Sequence, residues 1–114
     1  MVNKSYYKIA RENEQVFRSV LRDLVLNRDK RTWGGYVPED LETEVSLQQI
    51  FEKYSEGDRT WKFVILDFSR PNQETAQLSF ENVGPLSGGG LNLEYVVKGD
   101  SKVELAKILR SWVS

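Results

Sequence analysis

The chain has 114 residues, 39% hydrophobic and 29% charged, with 16 basic side chains against 17 acidic ones. That length suits one domain burying roughly two-thirds of its unfolded surface, and the balanced charge gives no overall pull towards nucleic acid or an anionic membrane. Neither cysteine nor histidine is present, which excludes disulfides, zinc-thiolate sites, thiolate nucleophiles and every catalytic arrangement built on imidazole.

From Ser5 to Asn27 the apolar positions Tyr6, Ile9, Ala10, Phe17, Val20, Leu21 and Leu24 recur every three or four residues. That spacing predicts one long amphipathic helix. Arg11, Gln15, Arg18 and Arg22 fall on another face of it, among Glu12, Glu14 and Asp23. The stretch that follows sets Arg28, Lys30 and Arg31 beside Trp33, Tyr36 and a Gly-Gly pair. Cations interleaved with aromatics suit single-stranded nucleic acid, whose bases stack while its phosphates are neutralised. The same residues suit a loop that plugs a core edge, and the acidic run Glu39, Asp40, Glu42 and Glu44 next door repels a polyanion. A fourth strand could be recruited from Lys30 to Val37. Ser46 and Gln49 stand at capping-box spacing before Leu47, Ile50, Phe51 and Tyr54, which predicts a short second helix closed near Gly57.

Three strand-like segments follow: Trp61 to Phe68, Thr75 to Val83 and Leu91 to Val97. The second alternates cleanly, with Ala76, Leu78 and Phe80 on one face and Gln77, Ser79 and Glu81 on the other. Pairing across the turn at Pro71-Asn72 sets Val64 opposite Phe80, Leu66 opposite Leu78 and Phe68 opposite Ala76. The third strand then needs an odd offset to bring Leu91, Leu93 and Tyr95 to the same face. The glycine-rich connection from Gly84 to Gly90 lacks the Gly-Lys-Ser/Thr ending of a phosphate loop, so it reads as a flexible hairpin. Ser101 and Glu104 at capping-box spacing, with Leu105, Ile108, Leu109 and Trp112 beyond, predict a C-terminal helix. The fold expected is a single α+β domain over residues 1–114. It consists of a three-stranded antiparallel meander, with Lys30 to Val37 as the candidate fourth strand, packed with a long N-terminal helix, a short second helix and a C-terminal helix.

From Ser46 onward this order resembles the double-stranded RNA-binding domain. Leu47-Gln48-Gln49-Ile50 looks like the opening of its first helix, Ser69-Arg70-Pro71-Asn72 stands at its first β-turn, and Gly99-Asp100-Ser101-Lys102 resembles the entry to its second helix. The resemblance implies contacts from Gln49, Glu52, Arg70 and Lys102, reading RNA by shape.

The register above puts Trp61, Phe63 and Ile65 together on the face opposite the core. Three large apolar side chains in a row on an otherwise polar face either find cover within the chain or mark an interaction surface. The function expected is therefore a non-enzymatic protein-interaction module, a small cytoplasmic accessory or regulatory protein. It would work through Trp61, Phe63 and Ile65 with the Trp33 to Tyr36 loop, on another protein or a second copy of itself. No cofactor, metal or membrane is expected: no apolar run reaches spanning length, and no apolar leader opens the chain. The rival is an RNA- or DNA-binding domain using Arg11, Arg18, Arg22, Arg28, Lys30 and Arg31. A third reading is a hydrolase running on Asp67, Glu81 and Glu94, carboxylates expected on one sheet face.

Overall fold

The structure is a computed structural model that describes residues 4–28, 37–54, 63–83 and 88–113. In chain order these form α1 (Lys4–Glu12), α2 (Glu14–Leu26), α3 (Leu47–Tyr54), β1 (Phe63–Asn72), β2 (Thr75–Val83), β3 (Gly88–Val97) and β4 (Val103–Val113). The fold is α+β: three helices and one four-stranded antiparallel sheet in the order β1-β2-β3-β4.

The apolar stripe expected of one N-terminal helix is continuous, but the helix is not. Tyr6 and Ala10 of α1 and Val16, Phe17, Val20, Leu21 and Leu24 of α2 are all buried. Asn13 occupies the position in that stripe where an apolar residue belongs, and there the backbone leaves helical geometry (φ −128, ψ 43). Its side-chain amide donates to the Ile9 carbonyl at 2.9 Å, while its Oδ1 accepts from Arg70 Nη1 at 2.9 Å. Short amide side chains compete for backbone groups in this way, and the competition breaks the helix. α3 starts as expected. Ser46 Oγ accepts from the Gln49 backbone N–H and Gln49 Oε1 accepts from the Ser46 N–H, both at 3.2 Å.

The helices cover one face of the sheet. Phe17 of α2 meets Phe68 of β1 edge-on at 5.0 Å between centroids, and Tyr54 of α3 meets Phe63 at 5.7 Å. Tyr95 of β3 donates its hydroxyl to Asp23 Oδ2 of α2 at 2.9 Å, fastening helix to sheet through a charged acceptor. β2 and β3 pair with the odd offset expected, Ala76 opposite Tyr95, Leu78 opposite Leu93 and Phe80 opposite Leu91. All six of these side chains are fully buried.

The β1–β2 register departs from expectation. A bulge at Leu66 makes Ile65, not Val64, the partner of Phe80, and Phe68 the partner of Leu78. The inward row of β1 is therefore Phe63, Ile65 and Phe68. One extra residue shifts every side chain before it to the other face, and the shift brings the Phe63 ring to 4.9 Å from that of Phe80.

The larger correction is at the C-terminus. Val103–Val113 is a strand, not a helix. Opposite β3, its inward row is Val103, Leu105, Ile108 and Ser111 and its outward row Glu104, Lys107, Arg110 and Trp112, with single-residue irregularities at Ala106 and Leu109. Each inserted residue stretches the ordinary two-residue repeat to three, so the apolar spacing imitates a helical face. The Ser101 capping box does not form. Ser101 and Asp100 both have left-handed backbone (φ 60 and 61) in the turn before β4, and Glu104 instead pairs with Lys98 at 2.5 Å. With a strand in place of the final helix, the helix-strand-strand-strand-helix order behind the RNA-binding resemblance is not present. The fourth strand is this one; of the stretch Lys30 to Val37 considered for it, residues 30–36 lie outside the described residues and Val37 is buried but in no strand.

Candidate functional site

The expected interaction residues divide. Phe63 and Ile65 are 2% exposed each and point into the core, because the bulge at Leu66 moves them to the helix-covered face. Trp61, Trp33 and Tyr36 lie outside the described residues, as do Lys30 and Arg31. The arginines of the rival reading are occupied. Arg18 is nearly buried, with Nε on Glu14 Oε2 at 3.0 Å and Nη1 shared between the carbonyls of Thr43 and Val45 at 2.8 and 2.7 Å. Arg22 grips Glu44 with two bonds, at 2.7 and 2.9 Å, and Arg28 pairs with Glu39 at 3.6 Å. Arg18 and Arg22, one turn apart on α2, and Arg28 just past its end thus fasten the segment 39–45 to the helix. Two members of the acidic run, Glu44 and Glu39, are the counter-charges of Arg22 and Arg28, while Glu42 pairs with Lys53 at 2.8 Å. Arg11 is the exception, lying over the Tyr7 ring at 5.9 Å.

The Arg22–Glu44 fork and the Thr43 hydroxyl together hold the Glu44 carboxyl far below the usual carboxylate range, at about 2. Burial, and then the charge of Asp67, push the Tyr6 phenol well above its ordinary value, so it stays protonated. Of the carboxylates in the hydrolase reading, Glu94 Oε1 accepts from Gln77 Nε2 at 3.0 Å and its Oε2 lies 3.7 Å from Lys107. Asp67 Oδ1 accepts from the Phe68 N–H, and Glu81 sits opposite Gly90. Among the described residues no group of three acidic side chains converges where a metal ion could be held.

What remains is a surface the sequence did not advertise, on β4. Its first inward residues, Val103 and Leu105, are partly buried against the core beneath α2. Further along, cover ends: Ile108 and the inserted Leu109 are each 39% exposed. Val96, in the outward row of β3 opposite Glu104, is exposed as well. β4 is also an end strand of the sheet. Its two irregularities and the charges Lys107 and Arg110 blunt that edge, since a bent, charged strand is a poor template for another strand.

At the far end of β4, Trp112 is the cross-strand partner of Gly90 of β3, and its indole occupies the space a side chain there would take. A methyl group built on Gly90 would fall 2.2 Å from Trp112 Cζ2 and 2.6 Å from the Phe80 carbonyl oxygen. The Arg110 guanidinium sits 5.4 Å from the Trp112 ring centroid. The glycines of β3 thus include one whose missing side chain makes room for an aromatic ring, a use that the strand boundary expected at Leu91 left inside the hairpin loop.

No protein-family model matches the chain, and comparisons with curated proteins and with solved structures find no significant match. Among the described residues no helix is long and apolar enough to cross a membrane.

Proposed function

We propose that the chain is a non-enzymatic protein-interaction module, an accessory or regulatory protein that works through the side chains of β4. The observation that carries this reading is the exposure of Ile108 and Leu109, large aliphatic residues side by side on an end strand, where the helical cover stops. Apolar contact bordered by charge is the usual composition of a docking patch, and here Lys107 and Arg110 of the outward row adjoin the pair along the strand. Because the edge of β4 is bulged and charged, its partner packs on side chains and does not add a strand. The partner is another protein or a second copy of the chain.

The test is the double variant Ile108→Ser/Leu109→Ser. It keeps the circular dichroism spectrum of the wild type and loses self-association in sedimentation equilibrium, or loses the proteins co-purified from the native cells. If wild type and variant have the same mass in solution and the same co-purifying proteins, the reading is wrong.

A further inference from the structure

A cleft of about 440 Å³ opens where α1 breaks from α2. Its lining brings together Arg11 from α1, Gln15 from α2, Arg70 from β1, and Lys98 and Ser101 from the turn between β3 and β4. The unusual member is Arg70. Its Nε donates to the Thr75 carbonyl at 2.9 Å, its Nη1 to Asn13 Oδ1 at 2.9 Å and its Nη2 to the Gln73 carbonyl at 2.8 Å. Every one of these acceptors is neutral. Among the described residues neither Arg70 nor Arg11 has a carboxylate within ion-pair distance, whereas Arg18, Arg22 and Arg28 all do.

A guanidinium locked in place without a counter-charge is an arrangement that oxyanions complete. Three of its five N–H groups hold it still, which removes most of the side-chain entropy that binding would otherwise cost, and one N–H remains on each terminal nitrogen. The cleft also contains Glu12 and Glu14, but Glu14 is taken up by Arg18 at 3.0 Å. Lys98 is likewise taken up by Glu104 across the turn, which leaves Arg11 and Arg70 against Glu12. A volume of this order accommodates a small metabolite.

We infer that this cleft binds a small organic anion through its carboxylate or phosphate group, with Arg70 as the fixed anchor and Arg11 as the second cation. The site is separate from the β4 surface, and its test does not depend on that surface. Inorganic phosphate and succinate are titrated separately against ¹⁵N-labelled protein, with sodium chloride added to hold ionic strength constant. Saturable shifts are expected at the Arg70 Nε–H signal and at the amides of Gln15 and Ser101, weakened about tenfold by Arg70→Lys, which loses the fork. Arg70 also ties the β1–β2 turn to Asn13, so Arg11→Gln is the second variant. It removes one cation from an exposed helix position and is expected to weaken binding several-fold while leaving the spectrum folded. Saturation by phosphate alone assigns a phosphate ester, and saturation by succinate alone a carboxylate. Shifts that chloride reproduces, or that Arg11→Gln and Arg70→Lys both leave unchanged, would overturn the inference.

Discussion

Substituting Gly90 by alanine tests the β3–β4 contact directly, because the sign of the effect depends on it. Gly90 does not have left-handed backbone. On conformational grounds alone alanine in a strand would therefore stabilise the protein by about 0.4–1 kcal/mol, by restricting the unfolded chain. Space decides otherwise. The new methyl would meet Trp112 Cζ2 at 2.2 Å and Cε2 at 2.6 Å, and the Phe80 carbonyl oxygen at 2.6 Å. The indole can swing away at the cost of its packing, but the carbonyl belongs to the neighbouring strand and moves only with the sheet. Overpacking of this kind costs about 1–3 kcal/mol, and the backbone partner puts Gly90→Ala towards the upper end. At this chain length that corresponds to a fall in melting temperature of about 8–12 °C. Urea unfolding of Gly90→Ala, Trp112→Ala and the double variant separates the two contacts. With the indole gone, only the carbonyl contact remains, so the cost of the methyl in the Trp112→Ala background should drop by at least about 1 kcal/mol. A Gly90→Ala protein as stable as wild type, or additive effects in the cycle, would refute this arrangement.

Two further outcomes follow from the arginine clamp of α2. Arg18→Met removes the partner of the Thr43 and Val45 carbonyls and should cost about 2–4 kcal/mol. The loss should show as faster amide exchange over residues 41–47, and a cost under about 1 kcal/mol would mean the clamp is ornamental. The second concerns acid. The folded carboxyl of Glu44 titrates near 2, well below its unfolded value, chiefly because Arg22 hydrogen-bonds it. Its contribution to stability is therefore complete above about pH 4.5 and is lost as pH falls through the folded value. Carboxyl-detected NMR should place its midpoint near 2 and return it to the ordinary range in Arg22→Gln. A wild-type midpoint near 4 would show the fork does not persist in solution.

The clamp also shows where the charges of a basic helix next to an acidic segment go. Arg18, Arg22 and Arg28 each find an acceptor in the segment that follows the helix, so charges that look available in sequence are spent within the fold. Arg70 and Arg11 differ by lacking such a partner among the described residues. Which cations are neutralised is set by how the chain returns past α2, and no spacing rule contains that return.

Some local elements were legible from side-chain chemistry, though the capping-box spacing of Ser101 and Glu104 was not one of them. The Ser46–Gln49 cap, the alternation of Thr75–Val83 and its odd pairing offset with Leu91–Val97 all follow from side-chain chemistry within a few positions. Sequence alone also determined the absence of cysteine and imidazole chemistry. The tertiary structure decided the rest, and it did so through single residues. Asn13 broke a helix by donating to the Ile9 carbonyl while its Oδ1 accepts from Arg70, far away in the chain. One inserted residue at Leu66 turned Phe63 and Ile65 from an expected surface into core. Two more, at Ala106 and Leu109, let a strand wear helical spacing. A periodicity of three and a half residues and a strand with regular bulges write the same pattern, and only the open hydrogen bonds along β3 distinguish them.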